Sequence, residues 1–160
     1  MTGLIFNKID EYEPGIICRL LSLSYEEMLD KQLKRQFQQF DKNVFDNPDT
    51  IGACTFITSL DADIAGMASY DPRQAPKQAT IGHNCVLPQY RRNGYGRQQI
   101  LEIIKRLKLR NVSRILVSTS EHPFFEPAQI IYHSCGFTEL ERKKRQPRDK
   151  YKTIYYELKL

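Results

Sequence analysis

Residues 80–96 read TIGHNCVLPQYRRNGYG and are the most informative part of this sequence. The first half, 80–87, is rich in β-forming residues and stops at Pro88, which predicts a strand. A pair of arginines follows, then Asn93-Gly94-Tyr95-Gly96, and apolar residues then recur at helical spacing. The stretch therefore predicts a strand, a short glycine-containing loop and a helix in direct succession.

The junction between this strand and this helix has the properties of an anion-binding site. Two glycines two positions apart allow several backbone N–H groups to point one way, and a helix N-terminus adds positive partial charge. Arg91, Arg92 and Arg97 add formal positive charge at the same place. Because such a nest of N–H groups suits a phosphate, we expect the loop to hold the diphosphate of a nucleotide-like cofactor.

The composition is that of an ordinary globular domain. The chain has 160 residues, of which 41% are hydrophobic and 27% charged, so we expect one domain over residues 1–160. No apolar run reaches the roughly 20 residues that span a bilayer, and the N-terminus lacks a signal-peptide pattern. We therefore expect a cytoplasmic protein with no membrane partner.

The cysteines and histidines show no metal-binding pattern. Cys18, Cys54, Cys85 and Cys135 are scattered without paired spacing, which is typical of reduced thiols in a cytoplasmic protein. The sequence has three histidines, and none of them completes a zinc pattern with these cysteines. We expect no metal.

Part of the net charge of +5 lies in one segment near the C-terminus, where Arg142-Lys143-Lys144-Arg145 precedes Arg148, Lys150 and Lys152. The segment has no interleaved aromatic residue before Tyr151 and matches no nucleic-acid-binding motif. We interpret it as a solvated loop between two strands and do not expect a nucleic acid as a partner.

The periodicities along the chain predict the element order β-α-α-β-β-β-α-β-α-β-β, which is one mixed α/β domain. We expect the first helix to begin at Pro14, and the second to start at a capping box at Ser24 and to end near Asp41. Asn111 and Gly136 are expected to end the two later helices. The last two strands are predicted at 137–141 and 153–158, on either side of the basic segment.

Two motifs within this order resemble the GNAT superfamily of acyl-CoA-dependent N-acyltransferases. The first is the Arg/Gln-x-x-Gly-x-Gly/Ala loop, present as Arg91-Arg92-Asn93-Gly94-Tyr95-Gly96. The second is the helix-to-strand signature Ala-x-x-x-Tyr-x-x-x-Gly-Phe, present at 128–137 as AQIIYHSCGF. The resemblance spans nearly the whole chain and implies a mixed, mostly antiparallel sheet of about seven strands with helices on both faces.

By this resemblance the cosubstrate is acetyl-CoA and the acceptor is a primary amine of a small molecule or protein. The diphosphate would lie against the backbone amides of the loop, and pantetheine along an exposed strand edge that polarises the thioester carbonyl. The amine would attack directly, with no covalent enzyme intermediate, and a homodimer is left open. The implied cofactor-binding residues are Asn84, Cys85, Val86, Arg91, Arg92, Asn93, Gly94, Tyr95, Gly96 and Arg97.

The resemblance also gives Tyr132 the role of general acid towards the departing CoA thiolate. The general base is not assigned, because Thr80 stands where many relatives carry a Glu. The remaining candidates are His83, Glu121, His122 or ordered water. Phe125 is a second departure, since many relatives have a CoA-contacting Asn there.

A non-catalytic acyl-CoA-binding regulatory module of the same fold is the alternative, and the residues at Thr80 and Phe125 motivate it. A dinucleotide-binding Rossmann domain is excluded because it needs Gly-x-Gly-x-x-Gly soon after the first strand. Here the loop follows the fourth predicted strand and has no third glycine.

Overall fold

The computed structural model describes residues 3–160, and this part of the chain contains seven strands and four α-helices. Their order confirms the order predicted from the sequence. The helices are α1 Ile16–Ser24, α2 Lys31–Asp46, α3 Tyr95–Leu109 and α4 Glu126–Ser134. The strands are β1 Ile5–Lys8, β2 Thr55–Leu60, β3 Asp63–Asp71, β4 Ala79–Val86, β5 Arg114–Ser120, β6 Thr138–Lys143 and β7 Thr153–Lys159.

The strands form one seven-stranded sheet in the order β1-β2-β3-β4-β5-β7-β6. The pairs β1/β2, β2/β3, β5/β7 and β6/β7 are antiparallel, and β4 pairs with β5 in parallel. The parallel register joins Ala79 to Ile115 and Thr80 to Leu116, after which β4 runs on to Val86. The sheet is therefore mixed and mostly antiparallel, as predicted.

The chain falls into two compact units. The N-terminal unit consists of the residues up to Tyr70 together with His83–Gln99, and the C-terminal unit of Asp71–Gly82 with Ile100–Leu160. The single domain expected over residues 1–160 stays a prediction.

Each unit has its own buried apolar residues. In the N-terminal unit the cluster includes Leu21 of α1, Phe37 and Val44 of α2, Ile57 of β2 and Met67 of β3. Burial of one such side chain stabilises the fold by about 1.5–3 kcal/mol. In the C-terminal unit, the fully buried side chains include Ile103 and Leu107 of α3, Ile115 of β5 and Ile154 of β7.

The first helix begins later than predicted, because a residue of the second helix caps it. Gly15 has φ 102° and precedes the first helical residue, Ile16. The buried Asp41 carboxylate of α2 accepts hydrogen bonds from Gly15 N at 2.9 Å and from Cys18 N at 3.0 Å. The predicted start at Pro14 is therefore wrong, since the cap comes from a residue distant in sequence.

Both predicted ends of the second helix are also wrong. Ser24 is the last residue of α1 and is buried, and Asp30 is the N-cap of α2, where its Oδ1 accepts from Leu33 N at 2.7 Å. The helix continues past Asp41 to Asp46, with Val44 buried on the same face. Asn111 and Gly136 end α3 and α4 as predicted, with φ 57° and 93°.

The last strand pair is longer than predicted, since β6 extends to Lys143 and takes in the first two residues of the basic segment. Arg142 forms ion pairs with Glu139 at 2.8 Å and with Glu121 at 3.3 Å, and Lys143 pairs with Glu141 at 3.1 Å. Part of the basic segment is thus strand with paired charges, and the rest is the loop before β7. Within residues 3–160, no helix has the length and apolar character needed to cross a membrane.

Candidate active site

The loop between β4 and α3 has the backbone shape expected of an anion-binding nest. A 3-10 turn at Pro88–Tyr90 follows β4, and α3 begins at Tyr95. Arg92 and Gly94 have left-handed backbones, with φ 65° and 80°. Gly94 O accepts the first helical bond, from Gln98 N at 3.1 Å. Helix geometry then leaves the N–H groups of Tyr95 and Gly96 without a partner inside the helix, as a bound anion requires.

Two side chains hold the loop in this shape. Asn93 Nδ2 donates to the carbonyl oxygens of Tyr90 and Arg91, each at 3.1 Å. The Arg91 guanidinium donates to Ser24 O at the end of α1 and to Val86 O at 3.3 Å. Arg91 therefore fastens the loop to the helix and strand beside it. Arg92 and Arg97 are exposed.

The backbone of β4 presents different groups to its two sides. His83 N donates to Ser69 Oγ of β3 at 2.9 Å. Asn84 O instead accepts from the Tyr25 hydroxyl, and Val86 O from Arg91 Nε, each at 3.3 Å. Because the N–H and C=O of a strand residue point to the same side, the N–H groups of Asn84 and Val86 belong to this second edge. Two of the three predicted pantetheine-binding residues thus share one strand edge.

Cys85 differs from its neighbours. Its side chain is 5% exposed and lies in the apolar cluster of the N-terminal unit. Its carbonyl oxygen would lie 2.2 Å from a Cβ at Gly66 of β3, so it is directed away from the edge shared by Asn84 and Val86. Burial raises the pKa of the Cys85 thiol to about 11, which keeps it protonated and unreactive at neutral pH.

His83 is a packed side chain. Its ring lies 4.6 Å from the ring of Phe40 and 6.0 Å from that of Phe37, measured between centroids. Burial lowers the pKa of His83 to about 4. An imidazole with this pKa accepts a proton poorly at neutral pH, so His83 is a weak candidate for the general base.

Glu121 and His122, directly after β5, are engaged in holding the local structure. Glu121 pairs with Arg142 and also accepts from Lys152 N at 3.2 Å. His122 Nδ1 accepts from Phe124 N at 3.0 Å and caps the 3-10 turn Pro123–Phe125. The lone pair of Nδ1 is thus already used, and a proton on this nitrogen would break the cap.

Thr80 is exposed on β4 and brings a hydroxyl where a carboxylate was expected. Ala79 and Ile81 on either side of it are buried, so the alternation predicted for this strand is confirmed at its start. A threonine hydroxyl has no basicity at neutral pH. Thr80, His83 and His122 therefore do not combine basicity with an available lone pair, and the Glu121 carboxylate is held by Arg142 and Lys152 N.

Tyr132 lies on α4 and is 5% exposed. Its ring packs 5.6 Å from the ring of Tyr156 and 5.8 Å from that of Phe137. Burial, and to a lesser extent the neighbouring Tyr156, raises the pKa of the Tyr132 phenol above its usual value near 10. The phenol therefore stays protonated across the physiological range and acts as a hydrogen-bond donor.

The structure adds two residues that the sequence analysis did not single out. Tyr25 bonds the backbone of β4, and Gln99 of α3 is fully buried with Thr58 and Asn84 as partners. Gln99 lies one turn before Ile103 and two before Leu107, so a glutamine on the apolar stripe of a helix was the available signal. Tyr25 is half-buried, with its ring 5.8 Å from that of Phe37, and the sequence around it gave no comparable signal.

A pocket of about 460 Å³ in the N-terminal unit lies between α1 and α2 and contains none of the predicted cofactor residues. Its lining includes Arg19 and Lys34, but the N-terminus of α1 there is already capped by the Asp41 carboxylate, so the loop and strand edge define the candidate site. No group of three or more His, Cys, Asp or Glu side chains within residues 3–160 is placed to bind a metal. The pocket is lined by Gly15, Cys18, Arg19, Ser22, Leu23, Lys34, Gln38 and Asp41.

The sequence profile of the acetyltransferase (GNAT) family matches residues 16–137, which include the loop, the strand edge and Tyr132. The chain belongs to this family of acetyltransferases. No curated protein matches the chain in sequence.

Solved structures share the fold at low sequence identity. A GNAT-family protein from Desulfovibrio desulfuricans superposes with a TM-score of 0.80 at 17% identity, over 99% of both chains. The ribosomal-protein-S18-alanine N-acetyltransferase of Escherichia coli gives 0.72 at 16% identity, over 99% of this chain and 94% of its own. The Salmonella typhimurium protein yncA, solved with its cofactor acetyl-CoA, gives 0.65 at 12% identity, over 99% and 94%.

Proposed function

We propose that the protein is an N-acetyltransferase that moves an acetyl group from acetyl-CoA to a primary amine by direct attack. The observation that carries the proposal is the loop at 91–96, where two left-handed residues and a helix N-terminus form a nest for a diphosphate. Membership of the GNAT family supports acetyl-CoA as the molecule that brings this diphosphate.

The cofactor would be held mainly by backbone groups. The N–H groups of Asn93, Gly94, Tyr95 and Gly96 would contact the diphosphate, with Arg92 and Arg97 adding charge at the exposed rim. On the same strand edge, the carbonyl oxygens of Asn84 and Val86 are already bonded by Tyr25 and Arg91. The N–H groups of these two residues would therefore be the ones that bond the pantetheine arm. An N–H group at this edge would polarise the thioester carbonyl as negative charge develops on its oxygen.

Tyr132 is proposed as the proton donor to the departing thiolate. A CoA thiol has a pKa near the 8.5 of a free cysteine, whereas the buried phenol lies above 10. Complete transfer from the phenol is therefore uphill, and the main contribution of Tyr132 would be a hydrogen bond that stabilises the developing thiolate. Ordered water is the proposed acceptor of the amine proton, because Thr80 has no basicity, burial lowers the pKa of His83, and His122 and Glu121 are engaged in local contacts.

The test is release of free CoA from acetyl-CoA over a panel of acceptors. The panel comprises small amines, polyamines, aminoglycosides, amino acids and peptides with free N-termini, the last because one structural relative is named as a protein N-acetyltransferase. We expect acetyl-CoA to raise the thermal midpoint and at least one amine to release CoA. No shift in midpoint at saturating acetyl-CoA would contradict the proposal.

A non-catalytic acyl-CoA-binding module is the second candidate, and the state of the candidate bases favours it. Thr80 has no carboxylate, His83 is packed among phenylalanines, and His122 uses its lone pair as a cap. CoA binding without turnover on any member of the panel would support this candidate.

A further inference from the structure

Gln99 is a polar side chain with no exposed surface, and every polar atom of its carboxamide has a partner. Oε1 accepts from Thr58 Oγ1 of β2 at 2.7 Å. Nε2 donates to Asn84 Oδ1 at 2.6 Å, and to the carbonyl oxygens of Met67 and Cys85, each at 3.2 Å. A single carboxamide on α3 thus joins β2, β3 and β4. Buried polar networks with all members satisfied are rigid.

The position of this carboxamide depends on a glycine in β3. A Cβ on Gly66 would lie 2.2 Å from Cys85 O and 3.0 Å from Gln99 Oε1. The space that Gln99 needs in order to reach β4 is therefore the space that any other side chain at position 66 would fill. The network is therefore part of the packing between α3 and these strands, and it requires a glycine at position 66.

Asn84 is the member of the network that belongs to the proposed cofactor edge. Its Oδ1 accepts from Gln99, and its Nδ2 donates to Gly96 O in the first turn of α3, at 3.2 Å. The Tyr25 hydroxyl holds its backbone oxygen. Asn84 is consequently fixed to the same helix terminus that forms the nest, and Gln99 fixes the rotamer through which it reaches there.

We propose that Gln99 is a positioning residue for acyl-CoA, which holds Asn84 so that the strand edge keeps a fixed distance from the loop. This inference rests on the proposed function. Diphosphate and pantetheine belong to one molecule, so both parts bind well only if the loop and the edge are held at the right separation. A loss of the Gln99 contact should therefore weaken a ligand that spans both segments far more than one that occupies the loop alone.

The test compares two ligands by calorimetry: CoA, and 3′-phospho-ADP, which is CoA without its pantetheine arm. Gln99→Met keeps the length of the side chain and removes its hydrogen bonds. We expect it to raise the Kd for CoA about tenfold and the Kd for 3′-phospho-ADP by less than about twofold. Thr58→Val is the matched control, because it removes a hydrogen bond from the same network and leaves the contact with Asn84; both Kd values should stay within about twofold.

Equal weakening of both ligands by Gln99→Met, or an unchanged Kd for CoA, would overturn the inference. Should Gln99→Met fail to fold, Asn84→Ala removes the same contact from the strand side. It should show the same selective loss for CoA, and an unchanged affinity there would equally overturn the inference. In the double variant, the loss should be smaller than the sum of the two single losses, because both variants remove the bond between Gln99 and Asn84. A wild-type protein that binds neither ligand would overturn the proposed function as well.

Discussion

The loop at 91–96 and the titratable side chains His83, Glu121 and His122 are built in opposite ways. The loop owes its shape mainly to residues within it: Arg92 and Gly94 are left-handed, α3 begins at Tyr95, and Asn93 bonds the carbonyls before it. Arg91 adds one anchor to α1. The side chains are held by residues elsewhere in the chain: His83 by Phe40, Glu121 by Arg142, and His122, besides its local cap, by the ring of Tyr151. A site made of backbone groups is thus set locally, whereas the role of a titratable side chain is set by its surroundings.

The largest effect is expected where β3 packs closely against β4, the strand that carries both the cofactor edge and His83. Gly66→Ala places a methyl group 2.2 Å from the carbonyl of Cys85, and a backbone atom cannot move aside cheaply. We expect a loss of more than about 3 kcal/mol in the free energy of unfolding, measured by urea denaturation. Gly3→Ala, which meets nothing within 4 Å, is the control. Equal stability of the two variants would show that β3 and β4 are not held this tightly.

The packed state of His83 predicts a loss of stability in acid. Its folded pKa of about 4 is below the unfolded value near 6.5, so between these values only the unfolded state binds the proton. Stability should therefore be complete above pH 6.5 and fall by up to about 3 kcal/mol as the pH drops towards 4.

The contribution of His83 is isolated by the difference between the unfolding curves of wild type and His83→Leu at each pH. This difference should vary between pH 6.5 and 4, because the variant lacks the buried imidazole. Parallel wild-type and His83→Leu curves would contradict the packed, neutral state and restore His83 as a candidate base.

A substitution at Tyr132 tests whether a buried side chain outside the loop takes part in the chemistry. Tyr132→Phe removes the hydroxyl and keeps the ring packing against Phe137 and Tyr156. We expect kcat to fall by about tenfold to a hundredfold while the KM for acetyl-CoA changes by less than about twofold. Tyr156→Phe, in the same ring cluster, is the control and should leave kcat unchanged. Equal kcat values for the two variants would remove Tyr132 from the mechanism.

The smallest effect is expected for a substitution that changes the backbone shape of the loop. Gly94→Ala has room for its methyl group, but φ 80° costs a non-glycine residue about 1–2 kcal/mol. A loop that relaxes this strain loses its nest, so the Kd for CoA should rise about tenfold.

The matched control for the loop is Gly15→Ala, because Gly15 also has a positive φ, 102°, and open space around it. It should destabilise the protein by a similar amount and leave the Kd unchanged. An equal change in the Kd for both variants would mean that general destabilisation, and not loop shape, governs affinity.

The element order and the loop could be predicted because their signals are local. Gly94 before a helical pattern, and Asn111 and Gly136 at helix ends, indicate left-handed backbones directly. Gly96 is instead the second residue of α3, and no signal indicated the left-handed backbone of Arg92. The starts of α1 and α2 could not be predicted in the same way. Asp41 caps α1 from the middle of the following helix, and no pattern around Pro14 or Gly15 indicates this.

In the candidate site too, features with a local sequence signal could be predicted and features that depend on distant contacts could not. The sequence indicated the loop and the strand edge, but alternation alone could not show that Asn84 is bonded to Gly96 and Gln99. Likewise, the ring contacts of His83 join residues far apart in the chain, and its pKa follows from them. These features depend on which elements pack together, and a single sequence does not state that.

The most direct test of the diphosphate site is a titration of ¹⁵N-labelled protein with 3′-phospho-ADP, followed through the backbone amide resonances. We expect the largest shifts at Asn93, Gly94, Tyr95 and Gly96, because their N–H groups would bond the phosphate oxygens. Smaller shifts are expected at Asn84 and Val86, which this ligand does not reach. Shifts centred elsewhere, for example on Cys18 and Ser22 in the pocket between α1 and α2, would contradict a diphosphate site at this loop.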